Sequence, residues 1–307
     1  MSDLGVRGGG RGLLDRVAGA PISWGVCEVP GWGHQMDAGS VLGEMRALGL
    51  AATELGPAGF LPGGPAEQAG LLASYGLRAV GGFVPLVLHD PGADPLPTLD
   101  DTLRSLVAAH ADTVVLAAAT GLDGYDTRPV LDDVGWAVLL ANLYRCVDSA
   151  VEHGLAATLH PHVGTMVETR DDVRRVLDSS DVPFCLDTGH LLVGGTDPVE
   201  VTADAASRVT HTHLKDVDAA LAARVRAGEV SYAAAVRHGL YRPLGQGDVD
   251  VARILRALEG AGYTGWYVLE QDCVLDGPPP GGLDTGPAGD VRASVDFLAD
   301  VAGGVAG

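Results

Sequence analysis

Short apolar runs alternate with longer amphipathic segments along most of this chain. Eight runs have the length of a strand, and between them hydrophobic residues recur at the spacing of a helix. We predict strands at residues 20–24, 51–55, 79–84, 113–117, 156–160, 183–187, 209–214 and 266–270. We predict helices at residues 38–48, 67–75, 99–110, 136–153, 171–178, 251–261 and 290–301. The alternation predicts an α/β protein, a single (β/α)8 TIM barrel.

Two segments depart from this alternation, and both follow predicted strands late in the barrel. Residues 219–247 add helix and loop after the seventh strand, and residues 272–289, rich in Pro and Gly, follow the eighth. Loops after the strands of a barrel build its binding site, so we expect these extended loops to shape specificity. The Gly-rich segment 1–17 is predicted to be disordered, and residues 18–307 to form one catalytic domain.

The charge balance is acidic and limits the classes of partner. The chain has 40 acidic and 20 basic residues, a formal net charge of −20, which would repel a nucleic-acid backbone. No signal-peptide core and no apolar run of membrane-spanning length is present, so we expect no membrane partner. The cysteines lack CxxC spacing, which favours a reducing cytoplasm over a disulfide framework. We expect a small polyol or keto-sugar as partner and leave a homo-oligomer open.

Polar and aromatic side chains collect at the predicted strand ends. They are Trp24, Glu54, His89, His160, His162, Asp187, His190, His211, His213, Lys215, Glu270 and Asp272. The carboxyl ends of parallel barrel strands meet on one rim, so these side chains are expected to converge. A single His at a strand end is more often structural, but an Asp, a His and a Glu on three consecutive strands can hold one divalent ion. Mixed imidazole and carboxylate ligands favour Mn²⁺, Co²⁺, Fe²⁺ or Zn²⁺ over Ca²⁺.

Six motifs give the chain a specific resemblance: APISWG, LHPHVGT, CLDTGH, HTHLKD, PLGQGDVD and WYVLEQD. Together they span residues 20–272 and resemble the xylose-isomerase-like TIM-barrel superfamily of sugar isomerases and epimerases. The PISWG and LHPHVGT segments are most similar to its inosose dehydratase branch. The resemblance implies a metal-dependent enzyme of carbohydrate catabolism, with Mn²⁺ or Co²⁺ favoured and Zn²⁺, Fe²⁺ or Mg²⁺ as alternatives.

The resemblance also implies a set of metal ligands. The superfamily holds its metal with a Glu, an Asp, a His and a Glu from strands five to eight, and the last three match Asp187, His213 and Glu270. Strand five carries His160 where sugar epimerases have Glu, a departure shared with the dehydratase-like branch. His160 is therefore the preferred first ligand, with His162 and Glu168 as alternatives.

Acid–base groups are expected at the same rim. A divalent ion with open positions can chelate a ketone oxygen and an adjacent hydroxyl, which acidifies the α-hydrogen and stabilises an enediolate. His190 in the DTGH motif matches the superfamily's substrate-binding His. Lys215 follows His213 by two residues on a strand and so faces the same side. The alternative for Lys215 is a loop ion pair with Asp216 or Asp218.

Catalytic roles are predicted for His190, Lys215 and Glu270, with base and acid not assigned and with Glu54 as a further candidate. Substrate contacts are predicted for Trp24, Glu54, His89, His162, His190 and Lys215. Trp24 would form an apolar wall against the substrate ring, although plain packing explains a Trp at this place equally well.

The resulting function hypothesis is metal-dependent dehydration of 2-keto-myo-inositol or a related keto-cyclitol. A ketose 3-epimerase or sugar isomerase is the main alternative, because the same enediolate serves it. A nuclease of the related endonuclease branch would need a cationic groove, which the net charge disfavours. A non-catalytic sugar-binding barrel would hold its ligand without metal, and the full set of strand-end ligands argues against it.

Overall fold

The computed structural model describes residues 12–305 and contains a closed barrel of eight parallel strands. In chain order, the strands are β1 (Val17–Gly19), β2 (Ala52–Glu54), β3 (Arg78–Leu86), β4 (Thr113–Ala118), β5 (Ala156–Leu159), β6 (Phe184–Asp187), β7 (Val209–Leu214), β8 (Asp216–Val217), β9 (Tyr241–Arg242) and β10 (Tyr267–Leu269). The barrel order is β1-β10-β7-β6-β5-β4-β3-β2, while β8 and β9 pair separately as an antiparallel ribbon. The predicted fold class is therefore confirmed.

Helices connect the strands and pack around the barrel. They are α1 (Ala38–Ala47), α2 (Pro65–Ser74), α3 (Leu96–Ala108), α4 (Asp133–Glu152), α5 (Arg170–Ser179), α6 (Thr188–Val193), α7 (Pro198–Ala205), α8 (Ala219–Arg226), α9 (Tyr232–Arg237), α10 (Val251–Gly260) and α11 (Gly286–Val305). The start of α5 shows how local sequence sets these bounds. Thr169 accepts a hydrogen bond from the backbone N–H of Asp172, whose carboxylate accepts one from the N–H of Thr169 in return. No described helix is long and apolar enough to cross a membrane.

The first strand lies earlier than predicted. Residues 20–24 were expected to form it, but β1 ends at Gly19 and Pro21–Trp24 form a 3-10 turn. Pro21 lacks a backbone N–H and fixes its own φ, which favours the first position of a turn over a central strand. Within the segment 1–17 that was predicted to be disordered, residues 12–17 are described, and the guanidinium of Arg16 donates to the carbonyls of Tyr263 and Gly265. Residues 1–11 lie outside the described part of the chain.

The barrel interior changes from apolar to polar along its axis. Small apolar side chains of Ala18, Ala52, Val80 and Val268 pack together deep in the barrel. Alternate residues of a strand face the same side, so the residue two positions after Ala52 is the inward-facing Glu54, and Glu270 follows Val268 in the same way. The sequence thereby places apolar packing at one end of the interior and charged chemistry at the other.

The predicted extended loop after β7 folds as α8, α9 and the β8–β9 ribbon, and a buried carboxylate fastens it. Asp216 accepts hydrogen bonds from the backbone N–H groups of Val217, Gly245, Gly247 and Val249, at 2.8–3.0 Å. A Cβ at Gly247 would lie 2.3 Å from an oxygen of Asp216, so this close approach requires glycine. Asp216 is thus occupied by backbone donors and is not an ion-pair partner for Lys215.

We expect Asp216→Asn to lower the free energy of unfolding by about 2–4 kcal/mol, because an amide cannot accept from all of these donors. Urea unfolding followed by circular dichroism measures the change. Asp204→Asn is the matched control, since Asp204 pairs with Arg174 on the exposed surface and should shift stability by about 0.5 kcal/mol or less. Equal stability of Asp216→Asn and the unsubstituted protein would show that the carboxylate does not hold this loop.

Candidate metal centre and active site

Four side chains from consecutive barrel strands converge at the carboxyl end of the barrel. His160 directly follows β5, Asp187 ends β6, His213 lies in β7, and Glu270 directly follows β10. Nε2 of His160 lies 3.0 Å from Oδ2 of Asp187 and 3.3 Å from Nδ1 of His213. The same Nδ1 lies 3.6 Å from Oδ2 of Asp187 and 2.6 Å from Oε2 of Glu270. The four predicted metal ligands therefore form one cluster.

Asp187 serves the fold and the cluster with different oxygens. Its Oδ1 accepts from the backbone N–H groups of Gly189 and His190 at 2.9 and 2.7 Å and so caps the short helix α6. That cap turns Oδ2 towards the cluster. Gly189 is required because a Cβ there would lie 2.6 Å from Cβ of Lys215 and 2.8 Å from the ring of Tyr241. The DTGH motif thus lets β7 and the extended loop approach closely.

His213 is oriented from behind by Glu54. Oε1 of Glu54 accepts from Nε2 of His213 at 3.0 Å and from Nε2 of His211 at 2.8 Å. Burial opposes ionisation of Glu54, but the two imidazoles outweigh it and hold the pKa of this carboxyl well below its usual range. Because Nε2 of His213 donates to Glu54, Nδ1 faces Asp187 and Glu270. A carboxylate behind a metal-binding imidazole commonly fixes its tautomer in this way.

The donor set fits a divalent metal ion. Nδ1 of His213 and its three neighbours are joined by contacts of 2.6–3.6 Å, near the separation of about 3.0–3.4 Å expected between neighbouring ligands with bonds of about 2.1 Å. Oε2 of Glu270 is buried and accepts no well-formed hydrogen bond from the described residues. Burial disfavours charge on His213, but the anionic side chains around it raise its pKa well above the usual value. A metal ion bound between these groups would offset the same negative charge.

Lys215 lies beside this cluster as a buried cation. Its Nζ donates to Glu270 at 2.6 Å and to Asp272 at 2.8 Å, and lies 3.3 Å from Asp187. Burial opposes its charge, but these carboxylates raise the pKa of Lys215 well above its usual value. The hydroxyl of Thr188 fixes the backbone by accepting from the N–H of Lys215 and donating to its carbonyl. The alternative of a loop ion pair with Asp216 or Asp218 is wrong.

The rings of two further histidines lie against each other beside the cluster. The rings of His162 and His190 are 3.7 Å apart between centroids. Nδ1 of His162 donates to the carbonyl of Val163, and burial with nearby His160 and Lys215 lowers the pKa of His162 to about 3. Burial and His162 likewise hold the pKa of His190 well below its usual value. Both rings are therefore neutral imidazoles that can exchange hydrogen bonds with a ligand.

A cavity of about 450 Å³ opens over these groups. Glu54, His162, Glu270 and Asp272 contribute polar groups to its lining, and apolar walls come mainly from the loops after β1 and β2 and from β3. A mostly apolar cleft with a few convergent polar groups is typical of a small-molecule site. The described residues that line it include acidic side chains but no Lys or Arg.

A profile of the xylose isomerase-like TIM barrel family matches residues 41–301. The chain belongs to this family. The resemblance predicted from the motifs is therefore confirmed.

Known members extend the comparison over most of the chain. An inosose dehydratase of Geobacillus kaustophilus (strain HTA426) is 30% identical over 270 residues, covering 84% of this chain and 87% of that protein. The rhizopine catabolism protein MocC of Rhizobium meliloti is 33% identical over 271 residues, 84% of this chain and 81% of that protein. A solved structure of IOLI protein with a bound zinc atom has a TM-score of 0.69 and 12% identity, covering 94% of this chain and 98% of that one. A solved L-ribulose 3-epimerase has a TM-score of 0.68 and 15% identity, with 95% of each chain covered.

Within this family barrel, some residues predicted to contact substrate lie elsewhere. Trp24 is fully buried, does not line the cavity, and donates from its indole to Glu44, so it packs rather than forming a wall. His89 lies three residues beyond the end of β3 and does not line the cavity. Glu54 reaches the cavity but is occupied by two histidines. Glu168 accepts from the N–H of Gly164 and is not part of the ligand cluster.

Several aromatic residues at the site were missed because loops supply them. Trp32 and Tyr125 line the cavity, and Tyr232 packs against both rings. Tyr232 and Tyr241 lie in the extended loop, where no strand or helix period indicates which side chains turn inward. Asp272 stands among the strand-end residues of the sequence, but its contacts with Lys215 and Tyr232 are visible only in the fold.

We expect His160→Ala to lower the amount of bound metal at least tenfold more than His162→Ala does. The reason is that His160, unlike His162, contacts both Asp187 and His213. The measurement is metal content after equilibration with buffered Mn²⁺ at several free concentrations. His162→Ala is the matched control, an imidazole lost from the same loop. The opposite order would move the strand-five ligand to His162.

Proposed function

We propose that this protein is a metal-dependent hydro-lyase that dehydrates 2-keto-myo-inositol or a closely related keto-cyclitol. The observation that carries the proposal is the convergence of His160, Asp187, His213 and Glu270, the last of which also lines a cavity of about 450 Å³. Relatives named inosose dehydratases, similar over most of the chain, support the substrate class. The same relatives support the predicted role in myo-inositol catabolism.

The metal is proposed to be Mn²⁺ or Co²⁺, with Zn²⁺, Fe²⁺ or Mg²⁺ as alternatives. Two imidazoles and two carboxylates form a mixed nitrogen and oxygen set that suits borderline first-row ions. The fold neighbour with bound zinc supports a divalent ion in a barrel of this type without fixing its identity here. A bound ion would polarise the ketone of the substrate and lower the pKa of the adjacent C–H group.

The protein's own residues would hold the substrate and handle its protons. Lys215 remains an ammonium because of its three carboxylate neighbours, so its role is to donate hydrogen bonds to a substrate oxygen and stabilise negative charge. His162, which lines the cavity, and His190 behind it are neutral rings that can accept or donate hydrogen bonds. Glu270 reaches both the ligand cluster and the cavity.

The charge of the cavity favours a neutral polyol. Glu28, Asp101, Glu270 and Asp272 line it, and the described lining residues include no cationic side chain that could pair with a phosphate. The phosphate of a phosphorylated sugar would find no cationic partner in this acidic lining.

The unpaired state of the four cysteines agrees with the predicted cytoplasmic location. Pairing of barrels into a homo-oligomer remains a prediction.

A ketose 3-epimerase or sugar isomerase is the second candidate. Solved epimerases share the fold, and the ligand cluster would serve their chemistry equally well. His160 in place of the strand-five Glu of sugar epimerases favours dehydration. A non-catalytic sugar-binding barrel would retain tight ligand binding after metal removal.

We expect the Mn²⁺- or Co²⁺-loaded protein to convert 2-keto-myo-inositol into a product with the ultraviolet absorbance of an enolised diketone. The chelated protein, measured alongside, should be inactive and regain turnover when metal is restored. Absence of this absorbance, together with proton–deuterium exchange into ketoses, would replace dehydration with epimerisation.

Lys215→Met should lower turnover by about a hundredfold or more while leaving bound metal within a factor of a few, because Lys215 touches the ligands Asp187 and Glu270 without being one. Steady-state kinetics and metal content on the same sample give both quantities. Arg174→Met, a surface cation paired with Asp204, is the control. An unchanged rate would remove Lys215 from the reaction.

A further inference from the structure

A hydrogen-bond chain connects the extended loop to His190. The hydroxyl of Tyr232, on α9, donates to Oδ2 of Asp272 at 2.7 Å. The hydroxyls of Tyr232 and Tyr241 lie 3.0 Å apart, and that of Tyr241 lies 3.3 Å from Nδ1 of His190. All four side chains are buried, so water does not compete for these contacts.

The number of available protons determines which group donates and which accepts in each of these hydrogen bonds. Asp272 also accepts from the ammonium of Lys215 at 2.8 Å, which makes it the carboxylate end. Tyr232 has one hydroxyl proton and donates it to Asp272. In the contact between the two tyrosines, Tyr241 must therefore be the donor and Tyr232 the acceptor. The third contact then needs a proton from His190, on Nδ1. The opposite arrangement would leave two hydroxyl oxygens facing each other at 3.0 Å with no hydrogen between them.

We propose that Tyr232 and Tyr241 are positioning residues that hold His190 as the tautomer protonated on Nδ1, with the lone pair of Nε2 presented to the substrate. Nε2 is buried and has no hydrogen-bond partner among the described residues. It lies 3.8 Å from Oδ2 of Asp272, and the His190 ring lies against the tilted ring of His162. Asp272 and His162 both line the cavity. The inference rests on the proposed function for its substrate but not for its geometry.

This tautomer assigns the proton acceptor that the site otherwise leaves open. Lys215 can only donate hydrogen bonds in its charged state, whereas Nε2 of His190 can take the α-proton of a keto-cyclitol. The resulting imidazolium can return that proton from Nε2 to the departing β-hydroxyl, which leaves as water. One C–H and one C–O bond break, one C=C and one O–H bond form, and no further reactant is needed.

The tautomer can be read directly from the side-chain ¹⁵N shifts of the zinc-loaded protein, with His190 identified by the signal lost in His190→Gln. We expect a protonated Nδ1 and an unprotonated Nε2 in the unsubstituted protein. Tyr241→Phe removes the acceptor of Nδ1–H and should shift the population towards the Nε2-protonated form, and Tyr232→Phe should act in the same direction. Tyr263→Phe is the control. It removes a hydroxyl that donates to the carbonyl of Trp266 and takes no part in the hydrogen bonds that lead to His190.

Kinetics supply an independent readout. Tyr241→Phe should lower kcat about tenfold or more, with KM and bound metal unchanged, corresponding to one hydrogen bond's effect on the reacting tautomer. A protonated Nε2 in the unsubstituted protein, or unchanged shifts in both tyrosine variants, would overturn the inference. The predicted tautomer without turnover of 2-keto-myo-inositol would instead overturn the proposed function alone.

Discussion

The concentration of buried carboxylates at one end of the barrel is the constraint on which the rest of the structure depends. Glu54, Asp187, Glu270 and Asp272 lie within one small volume, where their mutual repulsion is weakly screened. Each is compensated by a defined partner: imidazoles for Glu54, helix N–H groups for Asp187, and the Lys215 ammonium for Glu270 and Asp272. A divalent ion at the proposed ligand cluster would add positive charge at the same place, so metal binding would also serve the electrostatic balance.

The extended loop after β7 completes this balance from outside the barrel. Asp216 holds the loop by backbone hydrogen bonds, and the loop in turn supplies Tyr232 and Tyr241 to the site. Its attachment therefore has a chemical consequence, since the tyrosines connect Asp272 to His190. In this proposal the barrel strands supply the metal ligands, and the extended loop sets the tautomer of His190.

The strand-end chemistry could be predicted because it follows from period and spacing. Alternation along β7 puts His213 and Lys215 on one face, and the DTGH motif turns a carboxylate and an imidazole towards the same rim. Trp24 could not be placed in this way, since a proline-led turn replaces the expected strand and buries the indole. The tyrosines of the extended loop could not be predicted from the sequence either. Their inward orientation depends on the tertiary fold, and no local hydrophobic period indicates it.

The central claim is that one divalent ion is held by a ligand from each of four consecutive barrel strands. Crystals grown with Mn²⁺ and measured at a wavelength with manganese anomalous scattering test it most directly. The account predicts one strong anomalous peak in contact with His160 Nε2, Asp187 Oδ2, His213 Nδ1 and Glu270, with Glu54 behind His213. A fully occupied peak bound elsewhere, with these four side chains paired only among themselves and with Lys215, would contradict it.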